Sequence, residues 1–365
     1  MKVAVACGGT GGHVLPGLTT ARELMRRGAT VTLWLAGRDV EAGSISGWEG
    51  PVVSIPVPAM TNSRWGWLGK AIGLACTIRS SLAVMRRQPL DVLLAMGSYA
   101  SVGPVAAARR LRVPVVLHEA NVVPGRAVTW LARWADAVAV SFPQTRRWLK
   151  HRRIVETGFP LRGDLDDRFS GAEFHKQAFT VLVMGGSQGA HALNLLAVEA
   201  FRAWKQQGAR FQVLHLAGRH DASRVEDAYR SAGIDARVYG FLGAIGKAYH
   251  AADCAIARSG AGACFELLAC RVPGLLVPLP SAARDHQTAN AQAMQEWVGM
   301  DWIRQADLTA QRLLETLNRY RALSGPLDNM RHRMENAALV NGVGSLAELV
   351  ESMAGSRLAG AAPEG

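Results

Sequence analysis

The sequence predicts an α/β protein with two Rossmann-like domains in tandem, and three observations carry that expectation. Its 365 residues are too many for one ordinary hydrophobic core. Short apolar runs alternate with longer helical patterns along most of the chain. A glycine-rich turn follows an apolar run twice, as "GGTGG" at 8–12 and "GGSQG" at 185–189, so the second half repeats the plan of the first.

The elements follow in order. In the first half the strands are "KVAVAC", "TVTLWL", "DVLLAM", "VPVVLHE", "DAVAVS" and "RIVETG". They are nearly continuous in apolar residues, the pattern of parallel strands covered by helices on both faces. Helices are expected near 15–27, 66–87, 101–110 and 143–149. The second half offers "FTVLVMGG", "RFQVLHLAG", "ARVYGF", "DCAIARS" and "PGLLVPL", with helices near 190–207, 222–232, 259–269 and 287–298. Gly158, Pro160 and Gly163 punctuate "TGFPLRGDLDD" and set the join there. The expected limits are 1–160 for the first domain and 161–340 for the second. A helix at 341–353 packs back toward the first domain, and a disordered tail occupies 354–365.

Composition narrows the class. At 49% hydrophobic residues the chain can bury sizeable cores. Five cysteines, an odd number with no C-x-x-C pair, point to a reducing compartment and away from a zinc knuckle or disulfide framework. The opening apolar run is too short for a signal peptide, and Arg79 interrupts the nearest approach to a membrane span, "AIGLACTIRSSLAVM". A soluble or peripheral cytoplasmic protein is expected. Residues 1–158 hold 20 Lys and Arg against 8 Asp and Glu, whereas residues 159–365 hold 21 of each. The excess positive charge therefore lies wholly in the first half, which suits an anionic surface, nucleic acid or lipid.

The first glycine loop is not a dinucleotide fingerprint. Counted from Gly9 and Gly11, the third glycine of G-x-G-x-x-G falls at Val14, and the second strand carries no acid at its tip. Backbone amides and a helix amino end there suit an anion; a tight turn without a ligand is the alternative. His13 opens that helix and is a candidate general base, with helix capping as its plainer role. The second loop adds Ser187, a donor for a phosphate oxygen, beside Gly185, Gly186 and Gly189, and it lacks the G-K-[ST] ending of a P-loop. In "RSGAGACFELLAC" Arg258 stands at a third strand-to-helix turn with Glu266 about two turns in. Glu266 either faces solvent or accepts the two hydroxyls of a ribose. "PLPSAARDHQTANAQ" gathers Asp285, His286, Gln287 and Asn290, side chains that suit a sugar or simply a polar loop. "LHEAN" sets His118, Glu119 and Asn121 at a strand's carboxyl end, and H-E-x-x-H is not completed, which argues against zinc.

"NSRWGWLGKAIGLACTIRSSLAVMRRQP" mixes Trp65, Trp67, Leu68 and Ile72 with Arg64, Lys70 and Arg79. An aromatic, aliphatic and basic amphipathic segment suits an anionic membrane surface; core packing with a solvated face is the alternative. Motifs for RNA binding are missing, so nucleic acid is not an expected partner.

Together "GGTGGH", "GSYASVGP", "HEAN", "TGFPLR", "GGSQGA", "RSGA" with Glu266, and "DHQTANA" resemble, in order and along nearly the whole chain, the MurG family of UDP-N-acetylglucosamine transferases of peptidoglycan synthesis. The resemblance implies a glycosyltransferase B fold, two Rossmann-like domains facing a cleft, with no cofactor and no metal. It implies an inverting transfer of N-acetylglucosamine from its UDP donor to the muramoyl C4 hydroxyl of lipid I, giving lipid II for cell-wall biogenesis. It sets the protein peripherally on the cytoplasmic face of the inner membrane, and leaves room for other cell-wall synthesis proteins as partners. Carried over by the resemblance, Thr10, Gly11, Gly12, His13, Asn121, Arg162, Ser187, Arg258, Ala261, Glu266 and Gln287 contact UDP-N-acetylglucosamine, with Asn290 nearby. Gly8, Gly9, Thr10, Gly11, Gly12 and Tyr99 hold the acceptor pyrophosphate, and His13 is the candidate catalytic base. Trp65, Trp67, Leu68, Lys70, Ile72 and Arg79 are the membrane-facing set. No D-x-D pair stands where a metal would bridge the diphosphate, so helix dipole and arginine are expected to serve there.

The sequence departs from the family at "MGSY", less permissive than a double glycine, and at Ala120, which removes a polar contact. Gly262 and Ala263 leave only backbone contacts at their positions. A related lipid glycosyltransferase acting on diacylglycerol, or a non-catalytic nucleotide-sugar-binding membrane adaptor, is the alternative reading.

Overall fold

The computed structural model describes residues 1–9, 11–37, 45, 47–55, 66–170, 178–186, 190–321, 325–337 and 341–360, without the side chains of 11, 66–70 and 356–360. The chain divides into two compact units, residues 1–162 with 341–365, and residues 163–340.

Seven parallel strands form the sheet of the first unit: β1 (Lys2–Ala6), β2 (Thr30–Leu35), β3 (Val52–Ser54), β4 (Val92–Ala95), β5 (Val115–Glu119), β6 (Ala137–Val140) and β7 (Ile154–Glu156). Their order is β3-β2-β1-β4-β5-β6-β7, so the direction of winding reverses beside β1. Val3 of β1 is in register with Val31 on one side and Val92 on the other. Alternate residues feed two cores. Val3, Val5, Val92 and Leu94 face α1 (Gly11–Arg26), while Ala4, Ala6, Leu93 and Ala95 face α2 (Gly66–Arg87) and α3 (Val102–Arg110). Gly17 lets α1 lie directly on the end of β1, since a Cβ there would stand 2.5 Å from Cys7 Cβ. The helix starts at Gly11, four residues before the sequence expectation and ahead of Pro16, so His13 lies within its first turn.

The chain returns to this unit at its far end. Phe159 bridges Asn341, the Gly342 amide donates to the Phe159 carbonyl at 2.8 Å, and α12 (Val343–Gly360) follows. Leu346, Ala347, Val350 and Met353 are buried with α1 against β1 and β4. Arg27 pairs with Glu23 at 2.7 Å and with Glu351 at 3.1 Å, tying α1 to α12. The helix continues through Gly360, past residue 353, where the sequence reading begins a disordered tail. The correction has a packing cause: Ala354 still lies in the core. Residues 361–365 lie outside the described residues.

The second unit repeats the design with β8 (Phe179–Met184), β9 (Phe211–Leu216), β10 (Ala236–Tyr239), β11 (Cys254–Ala257), β12 (Gly274–Leu276) and β13 (Asp301–Trp302), ordered β10-β9-β8-β11-β12-β13. On one face α5 (His191–Gln206), α6 (Ala222–Ser231) and α10 (Ala310–Arg321) bury Phe201, Trp204, Tyr229, Leu313 and Leu317 against Val181, Val183 and Val213. Trp204 stacks on Phe211 with centroids 4.5 Å apart. Helices α7 (Gly246–Ala251), α8 (Ala261–Ala269), α9 (His286–Val298) and α11 (Pro326–Glu335) also belong to this unit, and α4 (Arg126–Leu131) belongs to the first. The helix expected at 143–149 is a 3₁₀ turn over Pro143–Trp148.

Each sheet buries one histidine one residue before a strand's carboxyl end, His118 on β5 and His215 on β9. Burial pushes both down to about 3, with the His13 charge adding to the shift at His118.

Replacing Leu346 with Ala is expected to lower the unfolding free energy of the first unit by about 2–4 kcal/mol, read by chemical denaturation with a probe in each unit. Both units should also share an acid limb. A histidine whose pKa is depressed by folding stabilises fully above its unfolded value of 6.5. That stabilisation is lost as pH falls toward about 3. Unfolding free energies from pH 8 to 4 should be level above about 6.5 and drop below it; a rise on acidification contradicts the neutral buried state.

Candidate active site

In parallel α/β sheets the strands end, and the following helices begin, on one edge, and the reversal of winding leaves a crevice there. In the first unit that place lies between β1 and β4. The loops following these two strands are laced together: Ser98 Oγ donates to the Gly8 carbonyl and accepts from the Ala100 amide at 3.1 Å. Gly97 permits the turn, with φ 82° and room for no Cβ, which would stand 2.7 Å from the His118 carbonyl oxygen. Tyr99, which follows Ser98 in the chain, is left exposed. The first turn of α1 carries no acidic side chain, so the positive end of its dipole is not neutralised from within and half-buried His13 sits in it.

"HEAN" extends this edge. His118 Nε2–H donates to Ser141 Oγ at 3.1 Å, and Ser141 in turn donates to the Gly158 carbonyl at 3.2 Å, which fixes the neutral tautomer. The Glu119 carboxylate is buried and accepts from the Asn121 amide at 2.8 Å, Asn121 Nδ2 at 3.1 Å and the Gly125 amide at 2.9 Å. Burial raises its pKa and outweighs the lowering by these bonds. Glu119 thus shapes the loop that carries Asn121, and the motif is a brace as much as a contact surface. Arg162, half-buried, closes the first unit.

The second unit has the matching reversal between β8 and β11. Two helices open beside it, α5 and α8, with Ala190 and Gly260 at their N-caps; neither has a side-chain cap or an acid in its first turn. On α8 the Glu266 Oε2 accepts from the Tyr249 hydroxyl at 2.8 Å, and Tyr249 on α7 is only 1% exposed. A carboxylate oriented by a buried phenol beside an uncapped helix end suits a diol next to a phosphate. Ala261, the first residue of α8, is buried, so it offers its backbone.

Arg258 differs from the sequence expectation. Its side chain is 6% exposed and turns inward, Nη1 donating to the Val277 and Pro278 carbonyls at 3.1 and 3.2 Å and Nη2 to Gln305 Oε1. Its Nε finds no partner among the described residues. Burial lowers its pKa. This guanidinium braces the loop after β12 rather than reaching out. Asn290 is likewise buried, giving Nδ2 to the Ser259 carbonyl at 3.0 Å, while Ser259 Oγ donates to the Gln287 carbonyl at 2.8 Å. Gln287 Oε1 accepts from the Leu279 amide at 3.0 Å, and His286 Nδ1 donates to the Ala283 carbonyl at 2.8 Å. Arg284 and Asp285, with φ of 57° and 52°, hold this loop in a left-handed turn that non-glycine residues adopt only under constraint.

Sequence reasoning missed Tyr249 and Phe241. The Tyr249 signal is its place on a short helix whose apolar positions are too few for a periodicity. Phe241, just past β10, is 67% exposed at the carboxyl edge of the sheet and offers a stacking face. Thr10 and Ser187 lie outside the described residues, as do Trp65 and the side chains of Trp67, Leu68 and Lys70. Ile72, 63% exposed, and Arg79 share the open face of α2 with Ala75, Cys76, Ala83 and Arg86. No described helix is long and apolar enough to cross a membrane. Asp164 and Asp166 do have the D-x-D spacing, in a 3₁₀ turn around buried Leu165, but no group of three metal-ligating acids, histidines or cysteines occurs among the described residues.

Known proteins share both halves. Residues 3–140 match the glycosyltransferase family 28 N-terminal domain and residues 180–348 the family's C-terminal domain. A UDP-N-acetylglucosamine–N-acetylmuramyl-(pentapeptide) pyrophosphoryl-undecaprenol N-acetylglucosamine transferase of Pelobacter propionicus is 34% identical over 339 residues, 86% of this chain and 89% of that protein. The protein of that name from Anaeromyxobacter dehalogenans strain 2CP-C is 33% identical over 343 residues, 93% of this chain and 88% of its own. The crystal structure of Acinetobacter baumannii MurG superposes with a TM-score of 0.78 at 25% identity, covering 96% of this chain and 99% of that one. The glycosyltransferase of kitacinnamycin, at 19% identity and a TM-score of 0.71, shares the fold. With two family domains matched in order and such relatives along most of its length, the chain belongs to the MurG family of N-acetylglucosamine transferases.

Proposed function

We infer that the chain is an inverting hexosyltransferase that moves N-acetylglucosamine from UDP-N-acetylglucosamine to the C4 hydroxyl of the muramoyl sugar of lipid I, giving lipid II. The observation that carries the chemistry is the second unit's edge, where the Tyr249-held Glu266 stands on a helix that opens beside an uncapped glycine-loop helix. A carboxylate for vicinal hydroxyls next to an anion site is what a nucleoside diphosphate needs.

In this reading Glu266 accepts from the ribose hydroxyls and Phe241 stacks on the base. Ser187, the 185–189 loop, the Ala261 amide and Arg162 hold the diphosphate, and Gln287 meets the sugar. Arg258 acts from behind, fixing the loop that holds Gln287. The acceptor pyrophosphate lies at Gly8 to Gly12 with Tyr99, and Thr10, His13 and Asn121 serve the reacting centre. The C4 oxygen attacks the anomeric carbon as the bond to UDP breaks. His13 takes the hydroxyl proton, while amides and arginine receive the charge that develops on the departing diphosphate. The basic first unit meets an anionic membrane surface peripherally, through Trp65 and α2 with Trp67, Leu68, Lys70, Ile72 and Arg79, at the cytoplasmic face. Other cell-wall synthesis proteins are further partners.

Labelled N-acetylglucosamine should pass from its UDP donor to a lipid I analogue in a membrane mimetic, and not to diacylglycerol. No transfer to lipid I overturns the reading. His13→Ala is expected to lower turnover by about 10²–10⁴-fold; near-normal turnover removes His13 from the base role. Tyr249→Phe should weaken UDP binding several-fold while leaving 2′-deoxy-UDP nearly unchanged, at a cost near that of about one charge-assisted hydrogen bond. Equal losses for the two nucleotides would sink the orienting role of Tyr249.

A further inference from the structure

Five side chains of the second unit form a hydrogen-bonded chain that the transfer reaction does not use. At the buried end, Tyr229 on α6 donates its hydroxyl to His215 Nδ1 at 2.8 Å. His215 gives its Nε2–H to Asn194 Oδ1 at 3.1 Å. Asn194 gives its amide hydrogens to the Ala217 carbonyl at 2.9 Å and to Asp221 Oδ2 at 2.8 Å. At the open end His191, 58% exposed, holds Nδ1 2.9 and 3.0 Å from the two Asp221 oxygens. Chemistry fixes these directions. Burial keeps His215 neutral and the Tyr229 phenol well above its usual range, so the phenol donates. Burial pushes the Asp221 carboxyl up, but the bonds from His191 and Asn194 outweigh it and hold the group ionised, below its ordinary range.

The placement is specific. His191 and Asn194 are one turn apart at the start of α5, the helix that follows the second glycine loop. Asp221 occupies the N-cap of α6, where a carboxylate ordinarily caps its own helix, yet its side chain makes no such bond and goes to α5 instead. Meanwhile α5 has no side-chain cap and no acid in its first turn. A carboxylate capping that turn would occupy the amides an anion needs. Asp221 steadies the turn from the side and leaves them unoccupied by itself. A buried polar network is costly compared with apolar packing, so its retention beside this helix calls for a return in geometry.

We propose that Asp221, acting through His191 and Asn194, is a positioning residue that fixes the first turn of α5 so that its amides meet the donor diphosphate. The proposal rests on the nucleoside-diphosphate reading of this edge and adds the residue that organises it. Asp221 itself touches no substrate. Its removal should affect ligands in proportion to the phosphate they place at α5, leaving the base and ribose contacts alone.

The test compares equilibrium binding of UDP and UMP to the full chain, with steady-state kinetics in parallel. Asp221→Asn is expected to weaken UDP by about tenfold and UMP by less than about twofold, raising KM for UDP-N-acetylglucosamine more than it lowers kcat. His191→Ala should do the same to a smaller degree, and His191→Gln, which keeps an N–H donor toward Asp221, should restore the UDP preference. The exposed position of His191 keeps this pair informative even if Asp221→Asn folds poorly. Equal losses for UDP and UMP, or an unchanged UDP preference in His191→Ala, overturn the proposal. A wild-type chain that binds no UDP overturns the donor reading and this inference with it. UDP binding by the wild type with an unaltered preference in the variants overturns the inference alone.

Discussion

Strand order reverses beside β1 in one sheet and beside β8 in the other, and much of the chemistry follows from those two reversals. A parallel strand ends where its helix begins, so each reversal sets two strand ends and two helix amino ends at a common edge. The amides there have no partner within their own helices. Neither α5 nor α8 has a side-chain cap, and the first turns of α1, α5 and α8 hold no acid. The edges thus keep the positive potential that the proposed donor and acceptor phosphates would meet.

That choice has a structural cost, and the buried polar groups answer it. Glu119 gathers the amides of the loop carrying Asn121, Arg258 gathers the carbonyls after β12, and Asp221 gathers the first turn of α5. Glu119 and Arg258 hold backbone groups of their loops, and Asp221 holds two side chains of the first turn of α5. The residues that organise the edge are thus largely distinct from those that would touch a substrate, a division that permits a rigid loop to keep an open surface.

Much of this frame is legible in the sequence. Apolar runs such as "KVAVA" and "FTVLVM" fix the central strands because strands buried on both faces must be apolar throughout. In the first unit the glycines have a backbone reason: Gly9 takes φ 127°, and Gly97 takes φ 82° with no room for a Cβ. What escapes has physical reasons. Strands β3 and β13 are three and two residues long, too short for a pattern. The inward turn of Arg258 depends on carbonyls nineteen and twenty positions away, and the Asp221 contacts join residues up to 30 apart. Such partners are chosen by the fold, not by local spacing. The extent of α12 escapes local reading too, since burial of Ala354 against the first sheet carries the helix past residue 353.

The return of α12 has a bearing on synthesis. The core of the first unit lacks Leu346, Ala347, Val350 and Met353 until the whole of the second unit has been made. A nascent chain therefore presents a sheet whose α1-covered face is still incomplete, while residues 163–340, contiguous in sequence, already contain their own hydrophobic partners. Folding on the ribosome should then invert the usual order, the second unit closing first and the first unit waiting for its last helix. Chaperone engagement and premature proteolysis would concentrate on the basic half of the chain, although it leaves the ribosome first.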